Sequence, residues 1–126
     1  MKVPAILKYT QDHEWLRVEN GTAVVGITDF AQSELGYIVF VEIETENEEL
    51  EKGEIFGTVE TVKTVSDLFM PVSGRVIEVN PAIASEPELV NKDPYDKGWM
   101  IKIEMSDESQ VDELLSADDY LKMIET

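Results

Sequence analysis

The dipeptide Asn20-Gly21 most constrains the fold, because it lies between two short segments that both resemble strands. Apolar and polar side chains alternate over residues 13–19, and residues 22–27 form a second β-prone run. Asn-Gly favours the two-residue turn whose twist matches that of a β-hairpin. The sequence therefore predicts an antiparallel hairpin. Similar runs predict further strands at residues 38–44, 54–60, 65–72, 75–80 and 98–105.

The strand predicted at residues 38–44 has one apolar face. Because side chains alternate along a strand, Val39, Val41 and Ile43 are expected on the same side, opposite Glu42 and Glu44. The segment that follows, residues 46–51, is predicted to be a solvated acidic loop.

Helices are predicted to be short and peripheral. Thr28 or Asp29 is a suitable N-cap for a helix over about residues 30–35, and Gly36 would end it. Capping residues, Ser116 among them, also predict C-terminal helices over about residues 107–125. The periodicities together predict a mostly β fold with short peripheral and C-terminal helices.

Length and charge limit the domain organisation and the class of partner. The chain has 126 residues, of which 43% are hydrophobic, so we predict one domain over residues 1–126. Its net charge of −17 disfavours nucleic acid and anionic membranes as partners, since both require a basic surface. The N-terminus lacks the features of a signal or transit peptide, and the predicted location is the cytoplasm.

Lys63 lies between two predicted strands, where a hairpin near residues 54–72 would display it at or beside the turn. A lone exposed lysine is in most cases a solvated surface charge. Here its surroundings are distinctive, with Glu60 three residues upstream and a Ser66-Asp67 pair downstream.

The segment GTVETVKTVSD at residues 57–67 resembles the lipoyl-attachment hairpin of the glycine cleavage system H-protein family. The resemblance extends along almost the whole chain, through YTQDHEW at residues 9–15, VGITDFAQ at 25–32, VFVE at 39–42, LVN at 89–91, DPY at 93–95 and GWMIKI at 98–103. The sequence departs from the family's usual pattern at Tyr37, at Glu44-Thr45 and at Phe69-Met70.

The resemblance implies a flattened barrel-sandwich of the lipoyl/biotinyl type and a carrier that is not itself an enzyme. Lys63 would hold lipoic acid in amide linkage. The arm would shuttle the aminomethyl group of glycine between three enzymes: glycine decarboxylase, which uses pyridoxal phosphate, a tetrahydrofolate-dependent aminomethyltransferase, and dihydrolipoyl dehydrogenase. A lipoate ligase or an octanoyltransferase would attach the group.

Further site residues are predicted around that lysine. Glu60 offers a carboxylate that the modifying enzyme could read. We also expect a cleft that shelters the loaded arm and provides an acid for its amino group, because an unpaired buried charge is costly. The acids expected in this cleft are Glu14 and Asp67, and its predicted apolar wall consists of Ile27, Phe30, Ala31 and Leu35.

Several alternatives stay open at this point. Some H-like proteins relay octanoyl or lipoyl groups to other enzymes through the same lysine. A biotinyl carrier also uses a hairpin lysine, but usually between two methionines, and here the neighbours are Val62 and Thr64. A carboxylate-based hydrolase and a purely structural interaction module are the remaining alternatives. No metal site is predicted, because the chain has one histidine and lacks an Asp-x-Asp-x-Asp loop.

Overall fold

The computed structural model describes residues 1–125 and consists mainly of short strands. The strands are β1 (Lys8–Tyr9), β2 (Glu14–Glu19), β3 (Thr22–Ile27), β4 (Ile38–Glu42), β5 (Glu49–Leu50), β6 (Ile55–Thr61), β7 (Val65–Phe69), β8 (Gly74–Val79) and β9 (Ile101–Met105). The helices are α1 (Asp29–Leu35), α2 (Ala82–Ser85), α3 (Leu89–Lys92), α4 (Ala117–Ile124) and a 3-10 helix over Glu108–Glu113.

The strands form two antiparallel sheets. One has six strands in the order β1-β2-β3-β9-β8-β5, and the other has three in the order β4-β6-β7. The β2–β3 hairpin forms at the predicted dipeptide: Asn20 and Gly21 have φ angles of 51° and 80°, and Glu19 pairs with Thr22. Two successive positive φ angles are what this turn type requires, and glycine and asparagine adopt them most readily.

One apolar core joins the two sheets. Leu16, Val25 and Ile103 from the larger sheet belong to the same buried cluster as Val41 and Val59 from the smaller. A second cluster lies under the C-terminal helix and includes Tyr9, Trp15 and Tyr120. The fold is thus mostly β with short peripheral and C-terminal helices, as the sequence predicts.

The helix caps follow the sequence closely. The Thr28 hydroxyl accepts a hydrogen bond from the Ala31 amide at 3.1 Å and begins α1, and Gly36 ends it with a φ of 85°. The Ser116 hydroxyl accepts from the Asp119 amide at 3.2 Å and begins α4.

The structure corrects the prediction for residues 38–44. The pairing of β4 with β6 shifts register between Ile38 and Phe40, so the alternation breaks there. As a result Ile38 and Val41 are buried, whereas Val39 is 40% exposed. Such bulges reverse the side-chain direction beyond them, and alternation alone does not reveal them.

The acidic segment 46–51 also differs from its prediction, since it is not loop throughout. Within it, Glu49–Leu50 forms β5, which pairs with β8 through Glu49↔Arg75 and Leu50↔Gly74. Two residues are too few to produce a recognisable alternation.

Candidate functional site

The loop at residues 62–64 places Lys63 at the end of the three-stranded sheet, between β6 and β7. Its shape is fixed by Thr61, which is only 5% exposed. The Thr61 hydroxyl accepts hydrogen bonds from the amides of Lys63 and Thr64, both at 3.2 Å. In addition, the Thr61 amide donates to the Thr64 carbonyl at 2.8 Å. A threonine that turns its hydroxyl onto nearby amides stabilises a tight turn, and here it holds the lysine backbone in one place.

The Lys63 side chain is exposed. The ion pairs that form within residues 1–125 involve Arg17, Lys52, Arg75 and Lys102, not Lys63. Its primary amine is therefore accessible to a reagent from solution, as amide formation with a carboxylic acid requires.

Glu60 lies on the outer surface of the same sheet. It pairs with Phe40 of β4 on one side and with Val65 of β7 on the other. Residues directly opposite one another in neighbouring strands point to the same face, so the Glu60 carboxylate and these two apolar side chains share one surface. Val59 and Ser66, the next pair along, face the opposite side.

A cavity of about 240 Å³ lies on that opposite side, beside the hairpin. Five of the predicted cleft residues line it: Ile27, Phe30, Ala31, Leu35 and Asp67. They come from β3, α1 and β7, so the cavity forms where α1 packs beside the hairpin sheet. Its wall is apolar and its edge is acidic, because Asp12 and Glu34 line it as well.

The structure places Glu14, the sixth predicted cleft residue, elsewhere. Its side chain is 2% exposed and lines a different cavity, of about 290 Å³. One carboxyl oxygen accepts from the Phe69 amide at 2.7 Å, and the other lies 3.2 Å from the Thr10 hydroxyl. Burial raises the pKa of Glu14 to about 8, so the group is largely protonated at neutral pH.

His13 was missed as a site residue in the sequence, although it lines the 240 Å³ cavity. Its Nδ1 lies 2.8 Å from the Tyr120 hydroxyl, and its ring centroid lies 4.9 Å from that of Phe30. Burial lowers the pKa of His13, against the opposing effect of Asp12 and Glu34. Its position in the YTQDHEW segment, at the start of the strand predicted over residues 13–19, gives no indication of this contact.

Tyr120 connects the C-terminal helix to the cavity wall. Its hydroxyl lies 2.7 Å from the Thr28 hydroxyl, which caps α1, in addition to its contact with His13. The Tyr120 ring stacks on Tyr9 at a centroid distance of 4.7 Å. A residue near the end of the chain thus contacts two of the segments that shape the cavity.

No group of three or more His, Cys, Asp or Glu side chains within residues 1–125 is arranged to hold a metal ion. None of the helices in this part of the chain is long and apolar enough to cross a membrane.

Comparison with known proteins agrees with this arrangement. The family described as Glycine cleavage H-protein matches residues 7–126. Glycine cleavage system H proteins of Staphylococcus epidermidis and Bacteroides fragilis are each 56% identical over 124 residues, which is 98% of this chain and of each relative. The crystal structure of a glycine cleavage system H protein from Mycobacterium marinum has a TM-score of 0.90 and 38% identity, covering 98% of this chain and 100% of that one. This likeness confirms the predicted lipoyl-type barrel-sandwich. The chain therefore belongs to the glycine cleavage H-protein family.

Proposed function

We propose that Lys63 is the residue that carries lipoic acid, in amide linkage. The family to which the chain belongs is the non-catalytic lipoyl carrier of the glycine cleavage system. The observation that carries the assignment is an exposed primary amine on a loop that buried Thr61 holds in place. Lys52 and Lys102, by contrast, are engaged in ion pairs with Glu113 and Glu78.

The residues present suit this group. Lys63 supplies the amine, and the neighbouring cavity of about 240 Å³ has the apolar wall that a hydrocarbon chain would favour. When bound, the lipoyl dithiolane supplies the redox and group-transfer chemistry by which the system takes up the aminomethyl group of glycine. The chain itself supplies an anchored tether and the surfaces that its partners bind.

The family's place in the glycine cleavage system implies interaction with the other components of that system. As specific partners we propose glycine decarboxylase, the aminomethyltransferase and dihydrolipoyl dehydrogenase, with a lipoate ligase or an octanoyltransferase as the modifying enzyme. The net charge of −17 supports partners with basic docking surfaces, since opposite charges speed encounter while affinity stays modest. We propose the cytoplasm as the compartment in which they meet.

We propose that the modifying enzyme recognises the carboxylate of Glu60. The proposal is supported by the position of Glu60, which is exposed on the outer face of β6, three residues before Lys63.

We further propose that the 240 Å³ cavity shelters the loaded arm. Asp67 is exposed and lines the edge of the cavity, although it shares the strand face of Val65, two residues before it in β7; we therefore assign its carboxylate to a positively charged amino group at the mouth of the cavity.

Glu14 takes a different part in this proposal from the one its sequence position suggested. Its carboxyl is buried, and it holds the Phe69 amide at the end of the strand that bears Asp67. It therefore positions the end of β7 and does not line the 240 Å³ cavity.

Two alternatives raised by the sequence are not favoured. The matching family and the relatives described above share the name of the glycine cleavage H protein. That name points neither to a biotinyl carrier nor to an acyl relay protein.

Mass spectrometry of the protein from its native cells tests the assignment. We expect an intact mass increased by one lipoyl group, and a proteolytic map that places the increase on the peptide containing Lys63. A modification mapped to another lysine, such as Lys52 or Lys92, or an unmodified chain from cells that make lipoate, would contradict it.

A further inference from the structure

Five large apolar side chains are exposed together around the Lys63 loop. Tyr37 is 60% exposed, Val39 40%, Phe40 48%, Val62 82% and Val65 60%. We call these five residues the hairpin patch. Four other large apolar side chains in residues 1–125 are exposed to a similar degree, Met1, Ile6, Val18 and Ile55, and none of them adjoins Lys63 in the sheet.

Strand pairing brings the members of the hairpin patch onto one surface. Phe40, Glu60 and Val65 form a single row across the three strands. With neighbouring strands about 4.8 Å apart, the backbones of Phe40 and Val65 lie roughly 10 Å from each other. Tyr37 and Val62 extend the patch beyond this row. Ile38 pairs with Thr61, so Tyr37, just before Ile38, and Val62, just after Thr61, lie next to each other at the end of the sheet. The bulge between Ile38 and Phe40 exposes Val39 beside this row.

The hairpin patch is separate from the cavity proposed to shelter the arm. Val59 and Ser66 line that cavity and form the pair next to Glu60 and Val65, so they point to the other side of the sheet. Exposed apolar side chains grouped around an acid, Glu60, and beside the target lysine are typical of a binding surface.

The charges around the hairpin patch are acidic apart from the target lysine. Lys63 is the only basic residue in residues 37–44 and 54–70, whereas Glu42, Glu44 and Glu60 lie on or beside the patch. Hydrogen bonding between the Glu42 and Glu44 carboxyls, together with the charge of Glu44, raises the pKa of Glu42, as expected where like charges are crowded. Basic side chains on a partner would relieve that repulsion.

The length of the lysine side chain determines which partner must bind at the hairpin patch. Before modification the Nζ atom lies at most roughly 6 Å from its own Cα, so an enzyme that reacts with it must cover the loop. After modification the acyl chain extends the arm by on the order of 10 Å or more, and an enzyme can then take its end without covering the loop.

We propose that the hairpin patch is the docking surface for the enzyme that acylates Lys63, a partner with an apolar contact surface edged by basic residues. This inference rests on the proposed role of Lys63. In the reaction the deprotonated Nζ attacks the carbonyl carbon of an activated acyl donor, a mixed anhydride with a nucleotide or a thioester, which the enzyme supplies. The new C–N bond forms as the C–O or C–S bond breaks. The leaving group takes that electron pair, and the amine proton passes to solvent.

Acylation kinetics with patch variants test the proposal. The variants are Phe40→Thr, Val65→Thr and the double variant, and Val18→Thr is the matched control, because Val18 is 46% exposed on β2 of the other sheet. Threonine keeps a high strand propensity, so the fold is preserved, and circular dichroism and thermal unfolding verify this. The substrates are the unmodified protein, lipoate and ATP with a limiting amount of lipoate ligase, and mass spectrometry follows the product.

We expect kcat/KM of the double variant to fall about tenfold, mostly through KM, and that of Val18→Thr to stay within about twofold of the wild type. Each variant is then lipoylated to completion with excess ligase and assayed with glycine decarboxylase, where we expect an unchanged KM.

Each other outcome has a definite meaning. Equal acylation of the wild type and the double variant overturns the docking proposal. Normal acylation with a raised KM at the decarboxylase also overturns it, and assigns the hairpin patch to that enzyme instead. If the wild type accepts no lipoyl group at Lys63, the proposed function itself fails, and the two failures are thereby distinguished.

Discussion

Thr61 and Lys63 have separate roles in the loop between β6 and β7. Thr61 is buried and its hydroxyl accepts two backbone amides, whereas Lys63 is exposed and contributes its backbone amide to one of those bonds. The position of the reactive amine is therefore set by a residue other than the one that bears it. A change of the lysine side chain should remove the chemistry and leave the loop intact.

Lys63→Ala is expected to abolish lipoylation without unfolding the protein. The side chain is exposed, so its truncation should change the free energy of unfolding by no more than about 0.5 kcal/mol. Intact mass after incubation with ligase, lipoate and ATP measures the first effect, and thermal unfolding measures the second. Full incorporation into Lys63→Ala would show that another lysine is the site.

Glu60→Gln is expected to slow lipoylation of Lys63 at limiting ligase, because it removes the carboxylate nearest in sequence to the loop while retaining its size. Glu86→Gln is the control, since it makes the same change at an exposed residue beyond α2. The two variants and the wild type should unfold at similar temperatures. Equal initial rates for all three proteins would mean that Glu60 is only a surface charge.

Glu14 predicts a dependence of stability on pH. Its pKa in the folded protein is raised from 4.5 to about 8, so the folded state keeps a proton that the unfolded state loses above about pH 4.5. The contribution of Glu14 to the free energy of unfolding is therefore complete below about pH 4.5. It declines between pH 4.5 and 8, by at most about 1.4 kcal/mol per pH unit.

Glu14→Gln isolates that contribution, because glutamine resembles the protonated carboxyl and retains an acceptor for the Phe69 amide. We expect the stability of the wild type relative to Glu14→Gln to fall as pH rises from 5 to 8, the interval in which the folded and unfolded states differ in protonation. Urea unfolding at several pH values measures this difference in the free energy of unfolding. Parallel curves for the two proteins would show that Glu14 titrates normally.

At the scale of elements, the C-terminal helix is coupled to the cavity wall. α1 has no buried residue of its own, and its N-cap Thr28 lies 2.7 Å from the Tyr120 hydroxyl of α4. The placement of α1, and hence of Phe30 and Ala31 in the cavity, thus depends partly on a side chain from the other end of the chain.

Tyr120→Phe is expected to loosen the start of α1. The variant loses the contacts of this hydroxyl with both Thr28 and His13. Loss of the hydrogen bond to Thr28, the cap of α1, costs about 1 kcal/mol, which corresponds to roughly fivefold faster hydrogen exchange at the Ala31 amide if that amide exchanges by local opening. Tyr9→Phe is the control: it removes a hydroxyl from the same stacked pair, but one that donates to the Pro4 carbonyl at 2.6 Å. Equal exchange at Ala31 in both variants would mean that the Tyr120 hydroxyl does not position α1.

Elements with a strong local signal were predictable from the sequence, and those that depend on distant contacts were not. Neighbouring residues alone predict the Asn20-Gly21 turn, the Thr28 cap and the Ser116 cap, and the structure has all three. The bulge in β4 and the two-residue strand β5 depend on the partner strand, and they were missed.

The same distinction applies to the candidate site. The apolar residues expected together, on one face of α1 and in β3, line one cavity whose edge includes Asp67, and their role there stays a prediction. Glu14 and His13 are adjacent in the sequence, yet they line different cavities. His13 has a positive φ of 67°, and such a backbone reversal between two residues cannot be read from their types.

At the scale of the whole molecule, the net charge of −17 should act on encounter with partners. Raising ionic strength from about 0.01 M to about 0.15 M shortens the screening length from about 30 Å to about 8 Å. We expect kcat/KM for lipoylation of the protein to fall severalfold over this range, with little change in kcat. Activation of lipoate with ATP, measured on the ligase alone in the same buffers, is the control. A rate that does not depend on salt would exclude electrostatic steering.

The three-stranded sheet has the hairpin patch on one side and the cavity on the other, with the lysine at its end. A sheet is a single layer of backbone, so the two sides are separated by only one thickness of chain. An arm that rests in the cavity leaves the opposite side uncovered. The finished product would then present the acylating enzyme with nearly the same surface as the starting material, and only the lost charge of Lys63 would tell them apart. Product inhibition of that enzyme by the completed carrier follows directly from this geometry.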